Sequence, residues 1–235
     1  MALSWTRPSE QSDPRNSKRW FTEPTRLIRI GRPIAAHLLP FIADISLTGT
    51  EHLPPGGPFI LASNHVSAID SIILNALLPR YPYFMAKSEL FKHPISAWFL
   101  RNAGAFPVDR RGGDAWAMSH AMHILEKNQV LGIYPEGTRS RQHGRLGKAK
   151  TGTVRIALQQ NVPIVPVAIS GTDSILDNYR GLLRPPPVCI RIGAPFDVCS
   201  RVREHPVAYE TILKLTDELM TRIAEMLPNE KRGPY

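Results

Sequence analysis

A histidine and an aspartate stand five positions apart in Ser63-Asn64-His65-Val66-Ser67-Ala68-Ile69-Asp70. The stretch lies between an apolar run, Pro58-Phe59-Ile60-Leu61-Ala62, and a helix-like segment from Ser71 to Leu78. Neutral imidazole takes up a proton near pH 7, and a carboxylate beside it fixes the tautomer and stabilises the imidazolium. Such a pair can deprotonate a hydroxyl. On a regular helix, residues five apart are rotated by about 140°, so contact between the two requires the backbone to turn. Spacing alone leaves a plainer reading open, with His65 a hydrogen-bonded structural residue and Asp70 an N-cap of the following helix.

Further charged groups follow other apolar runs. Asp109, Arg110 and Arg111 come after Ala105-Phe106-Pro107-Val108. Pro135-Glu136-Gly137-Thr138-Arg139 comes after Val130-Leu131-Gly132-Ile133-Tyr134 and opens a loop with Arg141, His143, Arg145, Lys148 and Lys150. A general base, an orienting carboxylate and two separate arginine clusters suit the activation of a hydroxyl on a phosphate-bearing molecule. A flexible basic loop and an ordinary glycine turn are the plainer alternatives.

The elements that would position these groups alternate along the chain. Strands are expected over 58–62, 83–86, 105–108, 130–134, 164–169 and 188–192, and helices around 71–78, 89–100, 114–126 and 150–160. Ile212, Leu215, Leu219, Ile223 and Met226 mark a closing amphipathic helix. The alternation predicts a single α/β domain with a central mostly parallel or mixed sheet flanked by helices, where ligands bind just past strand ends. With 235 residues, 43% of them hydrophobic, the chain is long enough for one sizeable core.

Ahead of the domain, expected over 47–235, two segments differ. Residues 1–23 carry Pro8, Pro14 and scattered charges without an apolar core, a pattern that argues against a signal peptide and predicts a disordered lead-in. Over 24–46, Leu27, Ile28, Ile30, Ile34, Leu38, Leu39 and Ile42 recur at helical spacing among Arg26, Arg29 and Arg32, giving an amphipathic segment suited to a membrane surface or to its own domain. Gly31, Pro33 and Pro40 argue against one straight helix. The longest uncharged run, Ile156 to Thr172, is interrupted by Gln159, Gln160, Asn161, Pro163 and Pro166 and falls short of the about 18 apolar residues of a membrane span.

Several classes are excluded or weakened. Gly144-Arg145-Leu146-Gly147-Lys148-Ala149 lacks the spacing and the Ser or Thr of a phosphate-binding P-loop. No H-E-x-x-H or paired C-x-x-C supports a metal site, and no G-x-S-x-G elbow supports a serine nucleophile. The net charge of +9 would serve nucleic acid, but no aromatic-rich RNA-binding stretch accompanies it, so no nucleic-acid partner is expected. Two cysteines, Cys189 and Cys199, point to a reducing compartment.

Asn64-His65-Val66-Ser67-Ala68-Ile69-Asp70 resembles the N-H-x-S-x-x-D signature of the 1-acylglycerol-3-phosphate acyltransferase family, within the wider glycerolipid acyltransferases. Gly104-Ala105-Phe106-Pro107-Val108-Asp109-Arg110 resembles its second motif, Glu136-Gly137-Thr138-Arg139 its third, and Val162-Pro163-Ile164-Val165-Pro166-Val167 its fourth, in the same order. In the second motif the family commonly places its aromatic one position later than Phe106, with a β-branched residue where Pro107 stands; Arg110 keeps its spacing from Gly104.

The resemblance implies an acyltransferase domain that moves a fatty acyl group from acyl-CoA or acyl carrier protein to a lysophospholipid hydroxyl at the membrane surface, without a cofactor or metal. His65 would be the base and Asp70 its orienting acid. Arg110 and Arg139 would hold the acceptor phosphate bidentately, with Glu136, Gly137 and Thr138 completing the acceptor site. Asn64, Ser67, Lys148 and Lys150 are further candidates. Backbone N–H groups near the Ser71 helix start would receive the oxyanion. The acceptor expected first is 1-acyl-glycerol-3-phosphate, with glycerol-3-phosphate or a phosphoinositol lipid as alternatives and a non-catalytic basic membrane-binding module as the rival class. The location implied is peripheral, on the cytoplasmic face of the cell membrane.

Overall fold

The computed structural model describes residues 13–111, 113–140, 144–177, 185–202 and 206–235. Arg141 and His143 of the basic loop, and residues 1–12 of the expected lead-in, lie outside them. Among the described residues, seven strands form one sheet: β1 (Asp44–Thr48), β2 (Phe59–Ser63), β3 (Pro82–Lys87), β4 (Phe106–Val108), β5 (Val130–Ile133), β6 (Ile164–Ser170) and β7 (Pro187–Ile192). Their spatial order is β1-β7-β6-β2-β5-β3-β4, and every neighbouring pair is parallel except β6 and β7. The helices are α1 (Arg26–Ile42), α2 (Asp70–Leu77), α3 (Pro94–Asn102), α4 (Ala115–Glu126), α5 (Gly152–Gln160), α6 (Asp173–Asp177) and α7 (Tyr209–Glu225). This is the single α/β domain that the alternation of the sequence requires.

Strand β2 runs through the middle, and all five of its residues are buried. Because side chains alternate across a strand, Ile60 and Ala62 enter one core with residues of α4, α5 and α7, while Phe59 and Leu61 enter a second with residues of α1 and α2. A strand covered on both faces reads as an unbroken apolar run, which is why 58–62 stands out in the sequence. The parallel pairing of β2 with β5 and β6, and of β3 with β5 and β4, sends the C-terminal ends of β2, β4, β5 and β6 to one edge. The loops that leave this edge carry His65 and Asp70, Arg110, Glu136, and Thr172.

Four details differ from the sequence reading. Strand β1 begins at Asp44, ahead of the domain start expected at 47, and pairs with β7 at the sheet edge, where its alternating exposed and half-buried residues give a weak apolar signal. Helix α3 starts at Pro94 rather than near Glu89, because a proline disfavours helical backbone at the residue before it; Ser88–Phe91 forms a short 3-10 turn instead. Helix α1 continues through Pro33 and Pro40, with Thr25 capping it by accepting from the Ile28 N–H at 3.3 Å and with Ile28 and Leu39 buried. Residues 13–23 are docked: Pro14–Ser17 forms a 3-10 turn capped by Asp13, Arg15 pairs with Asp114, and Trp20 packs edge-on against Phe91 and Trp116.

Candidate active site

The chain turns sharply between His65 and Asp70. The Asp70 N–H donates to the Ser67 carbonyl at 3.1 Å, closing a turn, and α2 begins at Asp70 itself. The carboxylate does not cap forward into the helix, as the N-cap reading has it. It reaches back: Asp70 Oδ2 accepts from the Val66 N–H at 2.7 Å, the Ser67 N–H at 2.8 Å and His65 Nδ1 at 2.9 Å. Asp70 Oδ1 accepts from the Thr172 hydroxyl at 2.6 Å, and the residue is fully buried. Four donors converge on one carboxylate, so the group that faces His65 is an acceptor. That assigns the Nδ1–H tautomer and leaves the Nε2 lone pair of His65 available as a base.

The loop around His65 is clamped from the β5 side. Glu136, 7% exposed, accepts from the His65 N–H at 3.1 Å, the Gly147 N–H at 2.8 Å and the Ser140 hydroxyl, and the Ser140 N–H donates to the His65 carbonyl at 2.6 Å. Burial raises the Glu136 carboxyl above its ordinary pKa, and the two backbone donors and Ser140 partly offset this. Its oxygens are engaged by the protein itself, which places Glu136 behind His65 as an organiser. Asn64, fully buried, exchanges two hydrogen bonds with the Ile169 backbone, 2.8 and 2.7 Å, stitching the end of β2 to β6. Ser67 contributes its backbone N–H and carbonyl to the turn.

Two residues that sequence reasoning passed over complete the pair's surroundings. The Tyr134 ring stacks on His65 with centroids 3.9 Å apart and 14° between planes, and on Phe84 from its own strand neighbour. Its hydroxyl shares a 2.8 Å hydrogen bond with Ser71, and burial, then the Asp70 charge, holds it neutral by raising its pKa. Tyr134 was legible as the residue ending an apolar strand. Thr172 was legible in the same way, as the polar residue past β6.

A cavity of about 300 Å³ opens beside Tyr134. Met85, Val108, Met118, Ile133 and Ile156 give it apolar wall, while Arg110, Lys150 and Arg155 give it positive charge. Burial lowers the pKa of Arg110, Glu89 partly offsets this, and the charge of Arg139 lowers it further. Gly137 lies against the cavity at φ +71°, where a Cβ would meet Lys150 Cε at 3.3 Å, and the Lys150 ammonium donates to the Arg110 carbonyl at 3.1 Å. Gly104, at φ +69°, lets the chain pass the Tyr83 ring, which a Cβ would approach to 2.7 Å. Thr138, Arg139 and Lys148 are exposed, and Arg111 is engaged by Asp109 at 2.6 Å. The structure therefore gathers Arg110, Gly137 and Lys150 at the cavity and leaves Thr138, Arg139 and Lys148 outside its lining.

An imidazole oriented by a saturated, buried carboxylate at the strand ends of a mostly parallel sheet, next to a partly apolar and partly basic cavity, has the chemistry needed to activate a hydroxyl. The comparisons agree with that class. The sequence profile described as acyltransferase matches residues 44–170. The 1-acyl-sn-glycerol-3-phosphate acyltransferase of Bacillus subtilis (strain 168) is 30% identical over 190 residues, covering 80% of this chain and 91% of that protein. The protein of the same name from Limnanthes douglasii is 34% identical over 156 residues, 65% of this chain but 54% of the relative, so the chain spans about half of that longer protein. The crystal structure of the 1-acyl-sn-glycerophosphate (LPA) acyltransferase PlsC from Thermotoga maritima matches with a TM-score of 0.62 at 25% identity, over 82% of this chain and 76% of the other. The chain belongs to the acyltransferase family, as its four sequence blocks imply.

Proposed function

We propose that the protein transfers a fatty acyl group from an acyl thioester, acyl-CoA or acyl carrier protein, to the free hydroxyl of 1-acyl-glycerol-3-phosphate, giving phosphatidic acid. The observation that carries this reading is the His65 and Asp70 pair at 2.9 Å, beside a cavity lined by both apolar and basic side chains. The acceptor named for the relatives supports the choice of substrate. His65 Nε2 removes the hydroxyl proton as the oxygen attacks the thioester carbonyl. The tetrahedral intermediate collapses with loss of thiolate, which takes the proton back from the imidazolium. Ser67 need not act as a nucleophile. Val66 and Ser67 commit their N–H groups to Asp70, so the oxyanion falls to N–H groups at the start of α2. Arg110 and Arg139 hold the acceptor phosphate with Lys150 alongside, Gly137 lines the acceptor site, and Thr138 and Lys148 sit at its rim.

In this reading the reaction takes place at the cytoplasmic face of the cell membrane, with the protein peripheral. No described helix is long and apolar enough to cross a bilayer. Support for surface attachment comes from α1, where Ile30, Ile34, Leu38 and Phe41 are exposed, and from α3 with Ile95, Trp98 and Phe99 exposed. Transfer of labelled acyl groups to lysophosphatidic acid, glycerol-3-phosphate and lysophosphatidylinositol, from acyl-CoA and from acyl carrier protein, tests acceptor and donor together. His65→Ala is expected to abolish transfer while vesicle binding persists. Wild-type protein that acylates no member of the panel would sink the enzyme reading.

A further inference from the structure

The described residues between β4 and α4 include Arg110 and, at φ +69°, Gly113. Asp109 accepts from the Arg111 N–H at 3.0 Å, Lys150 donates to the Arg110 carbonyl at 3.1 Å, and a further carboxylate ties this segment to α4. Asp114 accepts from the Asp109 N–H at 2.8 Å and from the Ala117 N–H at 3.0 Å, tying the residue before Arg110 to the start of α4. The Asp114 side chain is only 4% exposed. Alongside those donors, a neighbouring cation supplies charge compensation that favours the anion of a buried carboxylate.

That cation comes from far upstream. Arg15 donates to both oxygens of Asp114, at 2.7 and 2.9 Å, and is itself held by Asp13 at 2.6 Å. Its guanidinium lies over the Trp116 ring, 4.5 Å from the centroid, and its carbonyl accepts from Trp20 Nε1 at 2.8 Å. The Trp116 indole N–H donates to Asn16 Oδ1 at 2.6 Å. Residues 13–20 thus form a strap fastened to α4 at several points, 99 positions from Asp114 in sequence at its ion pair. The strap lies ahead of the segment 44–170 that carries the family's shared pattern.

We propose that Arg15 is a positioning residue for acyl transfer: through Asp114 it sets the loop that aims Arg110 at the acceptor's phosphate. The proposal rests on Arg110 as a phosphate ligand, and its test separates the two ideas. With the full chain, acceptor concentration is varied at saturating acyl-CoA in mixed micelles. Arg15→Met is expected to raise the acceptor KM about tenfold, the size of one lost charge-assisted interaction, with kcat and the acyl-CoA KM within about twofold. Arg15→Lys, which keeps the charge and loses the fork, recovers part of the loss. In an Arg110→Gln background, Arg15→Met adds nothing further.

Hydrogen exchange supplies a readout independent of turnover: the Asp109, Arg110 and Arg111 amides exchange faster in Arg15→Met while α7 amides stay as protected as in the wild type. Unchanged exchange at these three amides overturns the strap inference whatever the kinetics. So does an Arg15→Met effect that adds in full to that of Arg110→Gln. If Arg110→Gln leaves the acceptor KM unmoved, the phosphate assignment fails instead, and loop exchange still decides the strap.

Discussion

The two buried carboxylates of the site, Asp70 and Glu136, look alike in sequence but respond differently to the same chemical change. Asp70 receives three N–H donors on Oδ2 and a hydroxyl on Oδ1. An amide oxygen can take the place of Oδ2, and the Thr172 hydroxyl can rotate to accept from the new NH₂. Asp70→Asn is therefore expected to keep the fold and the His65 tautomer while losing the negative charge that stabilises imidazolium, with kcat falling roughly 10²- to 10⁴-fold. Activity within threefold of wild type in a folded variant would refute a role for the charge. Glu136 has backbone N–H donors on both oxygens, His65 on one and Gly147 on the other. An amide there must set its NH₂ against a donor, so Glu136→Gln should destabilise the protein by roughly 1–3 kcal/mol. Urea unfolding checks this, and an unchanged midpoint would mean the carboxylate is not the clamp described. The motif letters pick out Asn64, His65, Asp70 and Glu136, yet not this division of labour. Asn64 meets Ile169 and Asp70 meets Thr172 across 105 and 102 positions, distances over which local pattern carries no information.

At the scale of elements, the legible parts were those with a local cause. β2 is buried on both faces and reads as an apolar run, and α7 buries Ile212, Leu215, Leu219 and Ile223 at helical spacing. The edge strand β1 and the docked segment 13–23 were not legible, because their partners, β7 and α4, are distant in sequence. That docking makes a titration prediction. His120 in α4 stacks on Trp116 with rings 6° apart, and Phe106 and Trp20 lie edge-on to it. Burial, then the neighbouring His123, lowers its pKa from 6.5 to about 4. The folded protein thus binds this proton less readily than the unfolded chain does. The stabilisation is present in full above pH 6.5 and is lost as pH falls toward 4, with a ceiling of roughly 3 kcal/mol at 1.36 kcal/mol per pKa unit. Urea midpoints measured from pH 7.5 to 4.5 should fall more steeply in wild type than in His120→Phe, which keeps the stacking and cannot charge. Parallel slopes in the two proteins would show that His120 does not supply this term.

The whole molecule joins an α/β sheet to a concentrated patch of exposed apolar side chains. Of the large apolar side chains that are strongly exposed, Ile30, Ile34, Leu38, Phe41 and Ile42 lie on α1, and Leu90, Ile95, Trp98 and Phe99 lie on α3 or the turn before it. These two helices touch, and α1 also packs on α2, whose first turn carries Asp70 and the exposed Ile72. The apolar surface therefore borders the element that opens the reaction site. Arg26, Arg29, Lys87 and Lys92 accompany it, and the net charge is +9, a combination that suits an anionic bilayer better than a neutral one. If this face carries the enzyme to its lipid acceptor, attachment and chemistry are separable. Phe41→Ser combined with Trp98→Ser should weaken partitioning onto phosphatidylglycerol vesicles by tenfold or more, since each side chain removed from the interface forfeits on the order of 1 kcal/mol of apolar burial. The same variant should acylate a short-chain, freely dissolved lysophosphatidic acid at the wild-type rate, because neither residue lines the cavity beside Tyr134. Cosedimentation and the dissolved-substrate assay together decide the matter. Partitioning that survives the double substitution would move membrane attachment to another surface, whereas loss of activity on the dissolved substrate would show that α1 and α3 shape the site itself.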